Sequence, residues 1–202
     1  MTGHYAQVAF TPTVREHQRE HGSLRGYERM AAVPEVADTL GQDEAWFLAE
    51  RDSFYLSTVG ETGWPYIQHR GGPRGFLKVI DSRTVGFADF RGNRQYISRG
   101  NLDHDNRVAL FLMDYAAKTR LKVLGRARVV EAQDDPDLIA ALVVGDYPAR
   151  VERAILIEIE AFDWNCSQHI PELHPREEVL EAVQSLRERI AELERENARL
   201  RA

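Results

Sequence analysis

The order of apolar and polar positions predicts a series of β-strands through the middle of the chain. These runs either alternate apolar with polar side chains or are rich in aromatic and β-branched residues. Turn residues at 60–63 and 81–83 join the first four runs into two hairpins. RVALFLM is apolar almost throughout, which predicts a central strand covered on both faces. The predicted strands are SFYLSTV (53–59), WPYIQHR (64–70), FLKVID (76–81), TVGFADF (84–90), RVALFLM (107–113), LKVLGRARVV (121–130) and AILIEIEAF (154–162).

Short helices accompany these strands. DEAWFLAER begins with acidic residues at Asp43 and ends with Arg51, which is typical of a short amphipathic helix. Two further helices are predicted around 94–102 and 135–144. Strands and helices in this order predict an α+β fold built on a mostly antiparallel barrel.

The first 42 residues differ from the predicted barrel. Residues 15–29 contain only Leu24 and Tyr27 as substantial apolar groups, so this segment is interpreted as an arm or extension. The sequence therefore predicts three parts: an N-terminal arm over residues 1–42, the barrel domain over 43–170, and a C-terminal heptad helix over 171–202.

A heptad pattern marks the C-terminal segment. Leucine or valine recurs every seven residues, and Val183, Ile190 and Asn197 follow the first three of these positions by four residues. A seam with leucine at d, β-branched residues at a and a single Asn at a favours two parallel helices in fixed register. The alternative is a helix packed on its own domain. The residues at seven-residue spacing are Val179, Leu186, Leu193 and Leu200.

Composition and charge narrow the classes of function. The 202 residues carry a net charge of −6, which argues against general nucleic-acid binding, and HIPELHPREE is not the basic helix that a leucine-zipper DNA-binding protein needs. No apolar run is long enough to span a membrane and no secretory signal is evident, so we expect a cytoplasmic protein without membrane contact. With Cys166 as the only cysteine, an intrachain disulfide is not possible.

Two polar segments are the best candidates for chemistry. QHRGGPRGFLK (68–78) and DFRGNRQ (89–95) place cationic and amide side chains at strand ends beside glycines, a pattern that suits a phosphate group. The pattern is neither a Walker loop nor a dinucleotide fingerprint. The structural alternative is that Gly71, Gly72 and Gly75 shape a bulge while the arginines are solvated at its rim.

The order of these motifs over residues 43–166 resembles the pyridoxamine 5'-phosphate oxidase-like, FMN-binding split-barrel family. The sequence is most similar to an uncharacterised flavin-nucleotide-binding branch, with which it shares RGGP-x-GFLK, FAD-x-x-GNRQ, MDY and an ending similar to FDWNCSQHI. The resemblance implies a split barrel, a homodimer, and FMN in a cleft at the subunit interface. Pyridoxine phosphate oxidation itself is not expected, because the Arg-x-x-His-like substrate clamp and the flavin-contacting Trp of the vitamin B6 oxidases are missing.

The resemblance also implies which residues contact the cofactor. Lys78, Asp89, Arg94 and Gln95 fall at the positions that contact the phosphate and ribityl chain, and Arg70 is a possible third cation. A guanidinium and an ammonium group together suit a phosphate dianion.

Four more residues are candidates for the flavin ring or its surroundings. Arg120 aligns with a ring-contacting glutamine and could stabilise the reduced flavin near N1. Gln68 is placed at the ring edge. His69 could hydrogen-bond substrate or flavin, or be a structural histidine at a strand end. Trp164, in the segment that continues to Gln168, could line the flavin or pack in the core.

A metal site is not predicted. Cys166, His169 and His174 form a Cys-x2-His-x4-His trio, but no fourth ligand lies nearby in the sequence. Cys166 could be a redox-active thiol, although lone cysteines are more often inert and buried.

The sequence thus predicts an FMN-binding flavoprotein that acts as an oxidoreductase, with a small-molecule substrate or NAD(P)H as partner. No side chain is a convincing general acid or base, so the chemistry would belong to the cofactor. The alternative is a flavin-binding sensor or carrier without turnover, whose coiled-coil helix docks a partner. A barrel of this kind could also hold a deazaflavin or haem.

Overall fold

The computed structural model describes residues 2–164 and 168–201, which form seven helices and seven strands. The helices are α1 (Gly3–Ala9), α2 (Pro12–Glu20), α3 (Leu24–Ala31), α4 (Gln42–Ala49), α5 (Ile97–His104), α6 (Pro136–Leu142) and α7 (Arg176–Arg201). The strands are β1 (Ser53–Val59), β2 (Pro65–Gly71), β3 (Lys78–Asp81), β4 (Thr84–Phe90), β5 (Arg107–Asp114), β6 (Thr119–Glu131) and β7 (Val151–Trp164). None of the described helices is long and apolar enough to cross a lipid bilayer.

Two compact units divide the described residues. The first contains residues 2–113 and 120–164, and the second contains residues 114–119 and 168–201. In the second unit, Lys118 Nζ lies 2.7 Å from Glu172 Oε2, which ties the turn before β6 to the segment that precedes α7. Helix α7 is present as the heptad pattern predicts.

All seven strands belong to one antiparallel sheet with the order β2-β1-β5-β6-β7-β4-β3. The hairpin of β1 and β2 pairs Tyr55 with His69, and the long pairing of β6 with β7 runs from Leu121 opposite Trp164 to Glu131 opposite Arg153. Strands β1 and β4 have the predicted bounds. Strand β3 begins at Lys78 rather than at Phe76, because the Phe76 backbone N–H donates to the carbonyl oxygen of Pro73 at 2.9 Å in the turn before it.

Aromatic packing closes the sheet on itself. Phe54 of β1 stacks on Phe76, with ring centroids 5.6 Å apart, and meets Phe87 of β4 edge-on at 5.3 Å. Strands β1 and β4 are not neighbours in the sheet, so these contacts require the sheet to curl and bring its two halves face to face. The fold is therefore the predicted α+β split barrel, with its core between the two halves.

A bulge lets the longest strand pair bend with the barrel. The register of β6 against β7 shifts between Leu124 and Gly125. A Cβ atom at Gly125 would lie 2.5 Å from the carbonyl oxygen of Glu158, so only glycine fits this close approach of the two backbones.

The prediction for RVALFLM is half correct. Strand β5 lies between β1 and β6, and Val108, Leu110 and Leu112 are buried. Its other face carries Ala109 and Phe111, which are only partly buried and line an apolar depression with residues of β1 and β2. Within one chain the strand is therefore covered on one face only.

The N-terminal residues form three helices, the first of which packs against β7. Thr2 Oγ1 donates to the carbonyl oxygen of Phe162 at 2.8 Å, and Asp38 Oδ2 accepts from the Phe162 backbone N–H at 3.0 Å. Ala6 of α1 is fully buried. Polar groups form much of the contact between α1 and β7. The pattern of apolar residues in the sequence therefore does not predict this contact.

His4 of α1 is a buried titratable group at this contact. The residue is 5% exposed, and its Nε2 lies 3.1 Å from Glu160 Oε1 while its Nδ1 lies 3.0 Å from Gln7 Oε1. Burial alone would lower the pKa of His4. The hydrogen bonds to Gln7 and Glu160 and the negative charges of Glu160 and Asp38 outweigh burial, so the pKa is raised.

Replacing His4 with glutamine should weaken the docking of α1 in a pH-dependent way. A raised folded-state pKa means that the stabilisation is fully present below the unfolded pKa and is lost as pH rises through the folded pKa. We expect His4→Gln to lower the free energy of unfolding by about 1 to 2 kcal/mol at about pH 5.5, and by less at about pH 8.5. Urea denaturation at both pH values measures the difference. His17→Gln, at an exposed position of α2, is the control, and an equal pH dependence in both variants would contradict this role of His4.

Candidate functional site

A polar cavity of about 190 Å³ lies between the edge strand β2, the end of β4, the start of β7 and the first turn of α5. Its walls come from parts of the chain that are far apart in sequence but close in the curled sheet. The lining residues are Tyr66, Gln68, Arg70, Asp89, Phe90, Gly92, Asn93, Arg94, Gln95, Tyr96, Ile97, Ser98, Arg99, Glu152 and Arg153.

Strand alternation decides which β2 side chains face the cavity. Tyr66, Gln68 and Arg70 are partly buried and line the cavity, whereas Ile67 and His69 between them are exposed. The Tyr66 hydroxyl hydrogen-bonds to Gln68 Oε1, which fixes one wall.

A buried carboxylate anchors two arginines at the base of the cavity. Asp89, at the end of β4, is 7% exposed. Its Oδ1 lies 2.6 Å from an Arg70 terminal nitrogen, and its Oδ2 lies 3.0 Å from an Arg153 terminal nitrogen. Arg153 also lies 3.4 Å from Glu131 of β6, so ion pairs run from β2 through β4 and β7 to β6. Burial alone would lower the pKa of Arg153, but Asp89 and Glu131 outweigh it and raise this pKa, so the guanidinium stays charged.

The loop between β4 and α5 has an unusual backbone. Arg94 and Tyr96 have φ values of 61° and 54°, in the left-handed region that non-glycine residues rarely adopt. The loop is held by the Gln95 backbone N–H, which donates to Asn93 Oδ1 at 3.2 Å, and by the Tyr96 hydroxyl, which donates to Glu152 Oε1 at 3.3 Å. Backbone strain of this kind often occurs at ligand-binding sites.

The first turn of α5 lies beside the cavity. Tyr96 is the N-cap residue and makes no side-chain capping bond, so the N–H groups at the start of the helix have no side-chain partner there. The partial positive charge of a helix N-terminus attracts anions. Ser98 and Arg99 of this turn line the same cavity.

Arginines outnumber carboxylates among the side chains that line the cavity, and Asp103 and Glu131, just outside the lining, pair with Arg99 and Arg153. The lining contains four arginines (Arg70, Arg94, Arg99 and Arg153) but only two carboxylates (Asp89 and Glu152), whereas the whole chain carries −6. Arg70 Nε is buried and has no hydrogen-bond partner among the described residues. A buried donor without an acceptor is rare in proteins, and a bound anion would satisfy it. The residues present therefore fit a phosphate group.

Five of the nine site residues predicted from the sequence lie together in this cavity: Gln68, Arg70, Asp89, Arg94 and Gln95. Sequence reasoning missed several others, namely Tyr66, Tyr96, Ser98, Arg99, Glu152 and Arg153. One signal for Arg153 was available in the sequence. Arg153 lies two residues before Ile155, so in a strand it shares the inward face of Ile155 and Ile157.

The remaining four predicted residues lie elsewhere. Lys78 Nζ donates to the carbonyl oxygens of Ala141 at 2.8 Å and Val143 at 3.3 Å, at the end of α6. His69 meets Tyr55 edge-on, with ring centroids 5.6 Å apart, on the outer face of the β1–β2 hairpin.

Trp164 and Arg120 also lie outside the cavity lining. Trp164 Nε1 donates to Glu44 Oε1 at 2.6 Å, and its ring packs edge-on against Phe47. The Arg120 guanidinium lies 5.9 Å from the ring centroid of Phe111, and its Nε is buried with no acceptor in the part of the chain that the structure describes.

The glycine-rich segment after β2 has a structural role. The backbone N–H groups of Gly72 and Gly75 donate to the carbonyl oxygens of Asp52 and Arg51, at 2.9 Å and 3.0 Å. A Cβ atom at Gly72 would lie 2.7 Å from the Phe76 ring. These glycines therefore let the chain pack closely beside β1. The pairing of β1 with β2 has no register shift, so it contains no bulge of the kind considered for them, and the Arg70 side chain is mostly buried rather than solvated.

Cys166 of the considered zinc trio lies outside the described residues, as does Asn165. His174 Nε2 lies 3.2 Å from Glu172 Oε1 in the second unit. Across residues 2–164 and 168–201, no group of three His, Cys, Asp or Glu side chains is arranged to hold a metal ion.

Removing Asp89 should destabilise the barrel. Asp89→Ala would leave Arg70 and Arg153 without the carboxylate they share, and loss of one partner from a buried ion pair costs about 3 to 5 kcal/mol. We expect a fall of this size in the free energy of unfolding, measured by urea denaturation, and a smaller fall for Asp89→Asn. Glu61→Ala, in the exposed turn after β1, is the control. If Asp89→Ala is as stable as this control, Asp89 does not anchor the site.

Comparison with known proteins gives one family and several related folds. The family model described as pyridoxamine 5'-phosphate oxidase matches residues 42–192. No curated protein matches the chain. Among solved structures, an FMN-binding protein from Syntrophomonas wolfei has 15% identity over 76% of this chain and 97% of that chain, with a TM-score of 0.44.

Two further structures have similar scores. A protein from Clostridium acetobutylicum, described as related to general stress protein 26 of the pyridoxinephosphate oxidase family, has 14% identity over 68% of this chain and 94% of its own, with a TM-score of 0.47. HupZ of Group A Streptococcus has 14% identity over 67% of this chain and all of its own, with a TM-score of 0.48.

Proposed function

The chain belongs to the pyridoxamine 5'-phosphate oxidase family, and from that premise we propose that it binds FMN, with the phosphate in the cavity beside the first turn of α5. The observation that carries the proposal is the convergence of four arginines on a helix N-terminus without a side-chain cap. Guanidinium groups and helix N-terminal N–H groups are the donors that proteins use for phosphate dianions.

The size of the cavity limits what it holds. Pockets for complete cofactors usually have volumes of about 300 to 1,000 Å³, and this one has about 190 Å³. It therefore suits the phosphate and the adjoining ribityl chain, while the flavin ring lies beyond it. Gln68, on the same face of β2 as Arg70, is then the side chain that meets the ring edge.

A second copy of the chain would complete the ring site. Phe111 and its neighbours leave an apolar face of the barrel partly exposed, and we assign this face to a homodimer interface. His69 and Arg120 lie outside the cavity of their own chain, so in this assembly they contact the flavin held by the partner. The Arg120 guanidinium would lie near the ring, and its positive charge favours the reduced cofactor.

We infer that the protein is an FMN-dependent oxidoreductase that uses a small molecule or NAD(P)H as reductant. Bound FMN supplies the two-electron chemistry. The chain holds the phosphate through Arg70, Arg94 and Arg153 and positions the ring by Gln68. Asp89 keeps two of the three arginines in place.

A flavin carrier or sensor without turnover is the second candidate. One observation favours it: the described side chains that line the cavity include four arginines and two carboxylates but no histidine, lysine or cysteine. Both carboxylates accept hydrogen bonds from cavity residues, which suits binding better than proton transfer.

Removing Arg94 should weaken FMN binding through the phosphate alone. We expect Arg94→Ala to raise the FMN dissociation constant about tenfold to a hundredfold, because a charge-assisted hydrogen bond is lost. Riboflavin, which lacks the phosphate, should bind both proteins with equal affinity. Fluorescence titration with the two ligands measures this, and Arg25→Ala, at an exposed position of α3, is the matched control.

The same titration separates two roles for Lys78. If the ammonium group remains on the carbonyl oxygens of Ala141 and Val143, Lys78→Ala leaves the FMN affinity unchanged and lowers stability instead. A specific loss of FMN affinity would mean that Lys78 turns to the phosphate when the cofactor binds.

Equal losses for FMN and riboflavin in Arg94→Ala would contradict the phosphate assignment.

Spectroscopy distinguishes the candidate functions. We expect purified protein loaded with FMN to be yellow, to bleach with NADPH under anaerobic conditions and to recover its colour in air. An Arg120→Gln variant should bind FMN with a lower reduction potential, because a positive charge near the ring is removed. Bleaching by dithionite but not by NADPH or NADH would favour the carrier or sensor. A Soret band in the absorption spectrum would identify haem as the ligand instead of FMN. The absorption spectrum of a deazaflavin would likewise identify a deazaflavin as the ligand.

A further inference from the structure

Helix α7 exposes a continuous apolar seam. No residue of α7, all of which the structure describes, is buried. The seam residues at the a and d positions are between 37% and 82% exposed, and they are Val179, Val183, Leu186, Ile190, Leu193 and Leu200. Six large apolar side chains on one helix face are a typical sign of a partner surface.

We propose that α7 pairs with α7 of a second copy of this chain as a parallel, in-register, two-stranded coiled coil. The helix has 26 residues, which gives a length of about 39 Å at 1.5 Å per residue. Its large apolar side chains lie at a and d, with Leu180 at an e position of the first turns as the one addition in this helix. This is close to the narrow stripe that coiled coils bury, whereas a helix packed on its own domain usually needs a wider one throughout. This inference is independent of the cofactor.

The charges beside the seam are complementary between two copies. When Val183 and Ile190 are at a, Arg189 and Glu196 are at g positions, while Glu194 and Arg201 are at e positions. In a parallel coiled coil, each g residue faces the e residue five positions later on the other helix. Arg189 therefore faces the partner's Glu194, and Glu196 faces the partner's Arg201. Each attraction occurs twice because of the twofold symmetry.

The opposite orientation is disfavoured. In the alternative antiparallel alignment, residue 183 lies beside residue 193 of the partner. Arg189 then faces the partner's Arg189, and Arg187 faces the partner's Arg187, so both contacts are between like charges. This alignment also places Asn197 opposite the partner's Val179, which buries an amide beside an apolar side chain without a partner. In the parallel pairing, Asn197 meets the partner's Asn197 and the two amides can hydrogen-bond.

The contacts within a single α7 do not compete with this pairing. Arg189 forms an ion pair with Glu192 of the same helix, and both side chains are more than half exposed. Exposed ion pairs of this kind contribute little to stability. Arg189 can therefore change partner when the second helix arrives, while Gln184 and Glu188, which hydrogen-bond at 2.8 Å, lie on the outer face.

Disulfide crosslinking of the full-length protein tests both the surface and the orientation. In a Cys166→Ser background, Leu193→Cys places a thiol at a d position, and Arg195→Cys places one on the outer face as the matched control. In a glutathione redox buffer we expect Leu193→Cys to form a crosslinked dimer at least about tenfold faster than Arg195→Cys. Equal rates, or no crosslinking of either variant, would overturn the proposal.

A mixture of two variants reports the orientation. In the antiparallel alignment, residue 183 opposes residue 193, so a mixture of Val183→Cys and Leu193→Cys would form mainly the mixed dimer. The parallel alignment instead gives each variant crosslinked to itself. A predominance of the mixed dimer would overturn the parallel assignment, and circular dichroism of each variant checks that its helix content is unchanged.

Charge reversal tests the specificity. Arg189→Glu and Glu194→Arg should each slow crosslinking at position 193 about fivefold to tenfold, because each turns an attraction that occurs twice into a repulsion. The double variant restores opposite charges and should regain the original rate. If the double variant is as slow as the single variants, these residues do not face each other and the register is wrong.

Discussion

The ion pair that holds Asp89 between Arg70 and Arg153 is the constraint on which this structure depends. The three residues come from β2, β4 and β7, and β2 is at one edge of the sheet while β4 is next to the other. A carboxylate can serve two arginines from such distant strands only if the sheet curls. The aromatic contact of Phe54 with Phe87 uses the same curvature a few residues away. Apolar packing thus favours closure in general, while the buried charges require one particular alignment.

The same constraint explains how positive charge can persist beside a barrel core. Four guanidinium groups near one cavity repel one another, and each loses water on partial burial. Four carboxylates offset part of that cost by pairing with Arg70, Arg99 and Arg153, and they are Asp89, Asp103, Glu131 and Glu152. These ion pairs hold the arginines in place without a ligand, and such preorganisation lowers the entropy cost of binding.

Local pattern predicted the strands well and the long-range contacts poorly. β1 and β4 could be predicted to the residue because SFYLSTV and TVGFADF are dense in β-formers and end at turns. β7 begins three residues earlier than predicted, because Glu152 and Arg153 have the polarity of a turn and their burial depends on ion pairs that a sequence does not display. The family resemblance implied Asp89, Arg94 and Gln95 as cofactor contacts, with Arg70 as a further cation, and these four line one cavity. Lys78 lies apart because the carbonyl oxygens at the end of α6, distant in sequence, bind its ammonium group.

The contrast between the acidic chain and its basic cavity has a consequence for encounter with ligands. An anion at long range meets the net repulsion of −6 charges, and at short range it meets the attraction of the arginines. At physiological ionic strength the Debye length is about 8 Å, so distant carboxylates are largely screened while the guanidinium groups lining the cavity are not. Dissolved salt at the concentration found in cells should thus speed the approach of the phosphorylated cofactor proposed above, whereas very dilute buffer should slow it.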